Sequence, residues 1–424
     1  MVNKTFAIKG DICFAKELGR LETSENSYLV CEDGKVAGVF ATLPDKYKGI
    51  EIKDYSGKLV CPGLSDIHVH APQYSFRGLG MDLELLDWLN TNTFPEESHY
   101  RDMEYAKKAY DIFTEDMRIS ATTRAVVFAT IHKDATEYLM DSFDKAGLGA
   151  YIGKVNMDRN SPDFYVEDTK ESVKTTLEWL DDVTGRYELV KPIITPRFVP
   201  SCTDELMKEL GRIVSEKKLP VQSHLSENLS EIDWVKALAP ESKGYADAYD
   251  RFGLFGTGGK TVMAHCVHMR EDEIELIKKQ GVFVAHCPQS NVNLRSGISP
   301  MREFLEAGVK SGLASDLAGG ASINMFKAVT DAIQVSKLYW RIVDDTKKAL
   351  TFPEAFYLAT KGGGEFFGKV GSFEAGYEFD AIVIDDSMAK TPLTLNAEQR
   401  LERTMYLCHS NSIAAKFVAG RQLF

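Results

Sequence analysis

Apolar, β-rich runs recur through the middle of the chain, and each ends in polar or otherwise unusual residues. They are KLVCPGLSDIHVH (58–70), TTRAVVFAT (122–130), GAYIGKVNMD (149–158), VKPIITPRFVP (190–200), LPVQSHLSE (219–227), TVMAHCVHM (261–269), GVFVAHCPQSN (281–291) and SGLASDLAGG (311–320). The segments between them, such as TDELMKELGRIVSEKK and EDEIELIKKQ, repeat apolar residues at i, i+3 and i+4. That spacing belongs to helices covering a sheet. Eight strand–helix alternations predict an α/β fold built as a closed (β/α)8 TIM barrel over residues 61–364.

Both flanks break the alternation. Residues 1–60 and 365–424 read as short strands with turns, for example NSYLVCEDGKVAGVFA and SIAAKFVAGRQLF. The simplest arrangement joins the two ends into one small β-sandwich domain. The long insert after the first strand, residues 78–120, is expected to form a helical cap over the pocket. No internal repeat beyond the alternation, no Pro- or Ser-rich linker and no low-complexity tract is evident.

Composition narrows the picture. The chain has 424 residues, enough for one large barrel and a smaller unit. A net charge of −12 is a poor match to a nucleic-acid backbone or an acidic membrane surface. No apolar stretch reaches transmembrane length, and the N-terminus MVNKTFAIKGDICFAKE lacks the apolar core of a signal peptide, so a cytoplasmic location is expected. The 7 cysteines are scattered and odd in number, with no C-x-x-C pair. Buried free thiols are therefore expected in place of disulfides or a thiolate zinc site.

The candidate chemistry sits at the strand ends. His68 and His70, two apart in DIHVH, point the same way because strand side chains alternate. They lie at the C-terminal end of the first strand, the active face of a barrel. Two converging imidazoles suit zinc or iron(II). Of the 9 histidines, His68, His70, His224 and His265 end strands 1, 5 and 6, and Asp316 ends strand 8. Asp316 follows an apolar strand, where a buried carboxylate needs a cation or donors; taken alone, it would equally cap a helix. The constellation points to a metal site. Glu227, three residues past His224, can shuttle protons beside such a site. His265 is either a fifth ligand or a hydrogen-bond partner of the metal's water. His286 faces either the pocket or the helices, His132, after strand 2, is expected to border the pocket, and His99, His268 and His409 read as structural or exposed.

These strand-end residues resemble the amidohydrolase superfamily, whose signature is H-x-H on strand 1, His on strands 5 and 6, and Asp on strand 8. The motifs VCPGLSDIHVHAPQ and AGYEFDAIVID, and a split β domain around a barrel, extend the resemblance along the whole chain. HAPQYSFRG, DWLNTNTFPEE, PRFVPSC, HLSEN, AHCVH, HCPQSN and ASDLAGG narrow it to a purine-deaminating branch. The resemblance implies that His68, His70, His224 and Asp316 hold one zinc ion per chain, with iron(II) as the alternative. It implies that Gln73, Arg197 and Phe198 contact the base, joined by His70, His224, Glu227 and Asp316. It makes Glu227, Asp316 and His265 the catalytic groups. Relatives with two metals bridge them by a carbamylated lysine on strand 4; here that position offers Arg197, and Lys154 falls on strand 3, so one metal is expected.

The implied reaction is hydrolysis of guanine at C2, leaving xanthine and ammonia, and the implied partners are a purine base and a second copy in a homodimer. Cytosine, adenine, a triazine or a cyclic amide would use the same metal set. A non-catalytic barrel relative should have lost a ligand, and none is lost. The H-x-E and P-C-x-x-C pattern of the other zinc deaminase class is absent.

Overall fold

The computed structural model describes residues 5–256, 259–408 and 410–424, so His409 lies outside the described residues. Four strands open it: β1 (Phe6–Glu17), β2 (Arg20–Glu32), β3 (Lys35–Phe40) and β4 (Glu51–Pro62). Ten shorter ones follow: β5 (Leu64–His70), β6 (Thr122–Phe128), β7 (Gly149–Gly153), β8 (Val155–Asn156), β9 (Val190–Pro192), β10 (Thr195–Pro196), β11 (Val221–Leu225), β12 (Thr261–His265), β13 (Phe283–His286) and β14 (Ser311–Leu313). The last are β15 (Ala381–Ile384), β16 (Ile413–Val418) and β17 (Arg421–Gln422). All eight predicted runs carry strands; the third and fourth are each split in two, at Lys154 and at Ile193–Ile194.

The central strands form parallel sheets in the orders β5-β6-β7-β9, β8-β10 and β11-β12-β13-β14. Hydrogen bonds tie the two larger sheets together at both edges. Gln222 N donates to Ile194 O at 3.0 Å on one side, and Asp316 N to His68 O at 2.9 Å on the other. Side chains of alternate positions, among them Ile67, Val126, Ile193, Val262, Ala264, Phe283, Ala285 and Ala314, form one apolar cluster between the strands. The opposite faces join a larger cluster with helices such as Lys133–Ala146, Thr169–Val183 and Asp204–Lys217. Local signals fix where those helices begin and stop. The Asp168 side chain accepts from the amides of Lys170 and Glu171 at an N-terminus, and Gly281 (φ +66°) ends Glu271–Gln280 in the left-handed region.

The two chain ends meet in a single seven-stranded sheet, β17-β16-β15-β4-β1-β2-β3. It is strongly curled, since Phe6 of β1 lies 5.7 Å from Phe417 of β16 although two strands intervene. These rings share their own apolar cluster with Phe379 and Val383. β4 runs through Gly63 alone into β5, so the sheet is joined directly to the strand that carries His68 and His70. Among the described residues no helix is long and apolar enough to cross a membrane. All seven cysteines are free and buried, as their scatter predicted.

Candidate metal centre and base pocket

β5, which carries His68 and His70, has an irregularity that the sequence did not announce. Between Asp66 and Val69, β5 carries one more residue than its partner β6. Such a bulge resets the alternation and re-aims the following side chains. Ile67 therefore packs in the interior cluster while His68 and His70 still turn toward the pocket side. At the other strand ends, His265 (φ +72°) and Asp316 (φ +45°) hold left-handed backbone. Non-glycine residues hold that conformation at a cost, typically where a site requires it.

The result is a tight buried cluster. His68 Nε2 is 3.1 Å from Asp316 Oδ1, and His70 Nε2 is 3.6 Å from the same oxygen. His70 Nε2 and His224 Nε2 face each other at 3.1 Å. The candidate ligand atoms of His68, His70 and His224 all lie within 4.8 Å of one another. His224 Nδ1 donates to the Arg197 carbonyl at 2.6 Å, which leaves its Nε2 lone pair pointing at the others. His68 Nε2 is buried without a well-formed hydrogen bond.

Protonation states match. Burial, reinforced by the neighbouring imidazoles, holds His70 and His224 well below the usual histidine range, and burial also lowers His68. Burial pushes Asp316 up, but His68 and His265 outweigh it and bring the carboxyl to about 2. Neutral nitrogens with free lone pairs and one carboxylate, all aimed at one point, form the donor set of a divalent cation.

Glu227 and His265 stand beside this rim. Their Oε2 and Nε2 atoms are 3.3 Å apart, and His265 Nε2 is 3.7 Å from Asp316 Oδ2. His265 Nδ1 donates to Asn291 Oδ1 at 2.9 Å, so only Nε2 is left to meet a ligand or water. Ser296 Oγ donates to Glu227 Oε1 at 3.0 Å. Burial raises Glu227 to about 7, and the carboxylates of Glu227 and Asp316 raise His265 against its burial.

A pocket opens on the rim. His70, His224, His265, Glu227 and Asp316 line it together with Gln73, Arg197 and Phe198. The structure thus brings together every predicted site residue except His68, which lies just beneath, against Asp316. Leu85, Trp88 and Leu89 add an apolar wall from the 78–120 insert, which is helical as expected.

Several contributors escaped the sequence reading. Asn291 and Ser296 hold His265 and Glu227, and Asp66 accepts from both the amide and the hydroxyl of Ser315, next to Asp316. The Cys287 Sγ comes within 4.8 Å of ligand atoms of His68, His265 and Asp316, and burial pushes its thiol well above the usual range. Glu97 pairs with Arg197, whose Nη1 and Nη2 donate to it at 2.6 and 3.1 Å. Gln73 donates to Glu97 and accepts from Ala318 N. Arg197 and Gln73 are therefore both braced by protein groups, and both side chains still face the pocket. His286 follows the inward-facing Ala285, is buried with neither ring nitrogen bonded, and does not line the pocket. His132 does not line the pocket and packs near Tyr165 with ring centroids 5.8 Å apart, His268 Nε2 donates to Ser296 O at 2.7 Å, and His99 is exposed beside Glu96.

Comparison with known proteins places this geometry. The profile of the Amidohydrolase family matches residues 59–423. Guanine deaminase of Dictyostelium discoideum is 38% identical over 440 residues, covering 98% of this chain and 97% of that protein. Guanine deaminase of Mus musculus is 41% identical over 392 residues, covering 89% of this chain and 86% of that one. A crystal structure of guanine deaminase from C. acetobutylicum, with guanine bound in the active site, is 47% identical with a TM-score of 0.97, over 99% of this chain and 100% of that chain.

Proposed function

The chain belongs to the amidohydrolase family, and from that premise we propose that it hydrolyses guanine to xanthine and ammonia. The observation that carries the reading is the meeting, in one small pocket, of a buried His/Asp rim with the donor fork of Arg197 and the amide of Gln73. The bound guanine in the C. acetobutylicum relative supports the same substrate here.

In this reading His68, His70, His224 and Asp316 hold one zinc ion, iron(II) being the alternative, and His265 stays outside the ligand set, bonded through Nδ1 to Asn291. Such an ion, when bound, lowers the pKa of water towards ~7 and so supplies a nucleophile at neutral pH. Asp316, a carboxylate at any physiological pH, accepts the proton that water gives up. Glu227, poised to carry a proton near pH 7, protonates the ring nitrogen beside C2, which lets the ring take up electron density during attack. The proton then passes to the exocyclic amine, so ammonia leaves in place of an amide anion. Arg197 directs its remaining N–H groups to the guanine carbonyl, Gln73 offers a donor and an acceptor to the purine edge, and Phe198 lies against the ring.

The same reading completes the architecture. Hydrogen bonds at both edges of the two central sheets support a closed (β/α)8 barrel over 61–364. The curl of the seven-stranded sheet supports a layered β domain from 1–60 and 365–424. Free buried thiols suit a reducing compartment and support a cytoplasmic location. The homodimer rests on the family resemblance alone, and molar mass in solution tests it.

The decisive experiment measures ammonia and xanthine from guanine beside a metal analysis of the same sample. About one metal per chain and turnover of guanine are expected. Turnover of cytosine, adenine or a triazine with none of guanine would move the reading to another substrate of the family.

A further inference from the structure

The insert between β5 and β6 carries a buried acid whose partners are the two side chains that face the base. Glu97 lies in the helix Phe94–Ser98 and has no exposed surface. Its Oε2 accepts from Arg197 Nη1 at 2.6 Å and from the Tyr165 hydroxyl at 2.8 Å. Its Oε1 accepts from Arg197 Nη2 at 3.1 Å and from Gln73 Nε2 at 2.9 Å. Four donors fill the roughly four lone-pair sites of a carboxylate. Gln73 and Arg197 line the pocket, whereas Glu97 does not.

We propose that Glu97 is the positioning residue of base recognition, holding the Arg197 guanidinium and the Gln73 amide in the one arrangement that reads a purine with a ring carbonyl. The inference rests on the reading of this pocket as a guanine site.

The geometry gives Glu97 control over both readers. A guanidinium is planar, so two parallel bonds to one carboxylate fix its plane and the directions of its remaining N–H groups. The Phe94 ring, from the same short helix, lies 5.1 Å from the guanidinium and backs it. An amide can ordinarily exchange its N and O ends at little cost. Gln73 cannot, because its Nε2 meets the Glu97 carboxylate while its Oε1 accepts from Ala318 N at 3.1 Å. Reversal would set oxygen against carboxylate and amine against N–H. One N–H and one lone pair of known direction are left for the base. Glu97 also cancels the charge of a guanidinium that is itself buried, so the wall meets a neutral base as a neutral pair.

A merely structural ion pair would lower stability and every kinetic constant together; a positioning pair acts on base affinity through Arg197. The test compares Glu97→Gln, Arg197→Gln and the double variant, each metal-loaded and checked for metal content and cooperative melting. In Glu97→Gln the KM for guanine and the inhibition constant of xanthine should both rise by about 10- to 100-fold, with metal content unchanged and kcat much less affected. The double variant should lose no more than Arg197→Gln alone, within about threefold. A KM within about twofold of the parent, or losses that multiply in the double variant, would overturn the proposal. If Glu97→Gln does not fold, Glu97→Asp keeps the charge but withdraws it; a normal KM there has the same force. Absence of guanine turnover in the parent would instead sink the functional reading.

Discussion

The proposed metal rim takes His68, His70, His224 and Asp316 from the ends of three parallel strands, while the wall proposed to read the base takes Gln73 from a turn after β5, Glu97 from an inserted helix and Arg197 with Phe198 from beyond β10. The rim is organised by backbone: once the strands are in register, its ligands have nowhere else to point. The wall is organised by side chains, with a carboxylate linking residues 24 and 100 positions apart in sequence. The rim should therefore fail by losing its ion and the wall by losing its orientation, and the two failures should be separable.

Asp316→Ala gives the sharpest break on the rim side. The variant removes the only carboxylate of the ligand set and leaves three buried imidazoles facing one another. Metal content should drop to near zero and guanine turnover by several orders of magnitude, with the fold retained by circular dichroism. Full turnover with full metal in this variant would falsify the ligand assignment.

Glu227→Gln should come next, with kcat reduced by about 10²- to 10⁴-fold and metal content intact. Its pH profile carries a sign. Glu227 must be protonated to donate to the ring, and burial raises it to about 7. The parental rate should therefore fall as pH rises through that region, and the limb should vanish in the variant. An unchanged limb would assign it to another group.

On the wall side, Arg197→Ala should lower kcat/KM for guanine by about 10- to 100-fold, again with metal retained. It also strands Glu97 as an unpaired buried charge, so stability should fall by about 3–5 kcal/mol. Adding Glu97→Gln should restore much of that stability without restoring affinity. Loss of metal in Arg197→Ala would erase the distinction between the two regions.

That distinction also explains what could be read from the sequence. Strand periodicity and the few histidines exposed the rim, since regular spacing converts directly into direction. The bulge before His68 was hidden because one extra residue leaves no mark in an H-x-H pair. Glu97 was legible only as part of DWLNTNTFPEE. Nothing local distinguishes it from exposed Glu104, and its role appears only when the chain returns 100 residues later with Arg197. The sandwich was inferred from strand-like ends, whereas the structure joins those ends through one curled sheet.

The smallest expected effect tests the role proposed for Glu227. Ser296 Oγ bonds Glu227 and favours its charged form. Ser296→Ala removes that bond while sparing the four ligands and the base-reading wall, so the carboxyl should hold its proton to higher pH. If Glu227 acts as the acid, the falling limb of the rate profile moves to higher pH, and neutral-pH turnover changes by less than about tenfold. If Glu227 must first act as a base, the same substitution moves a rising limb, and activity at neutral pH drops. The direction of one shift, measured with metal content and guanine KM held constant, therefore decides which protonation state of Glu227 begins the reaction.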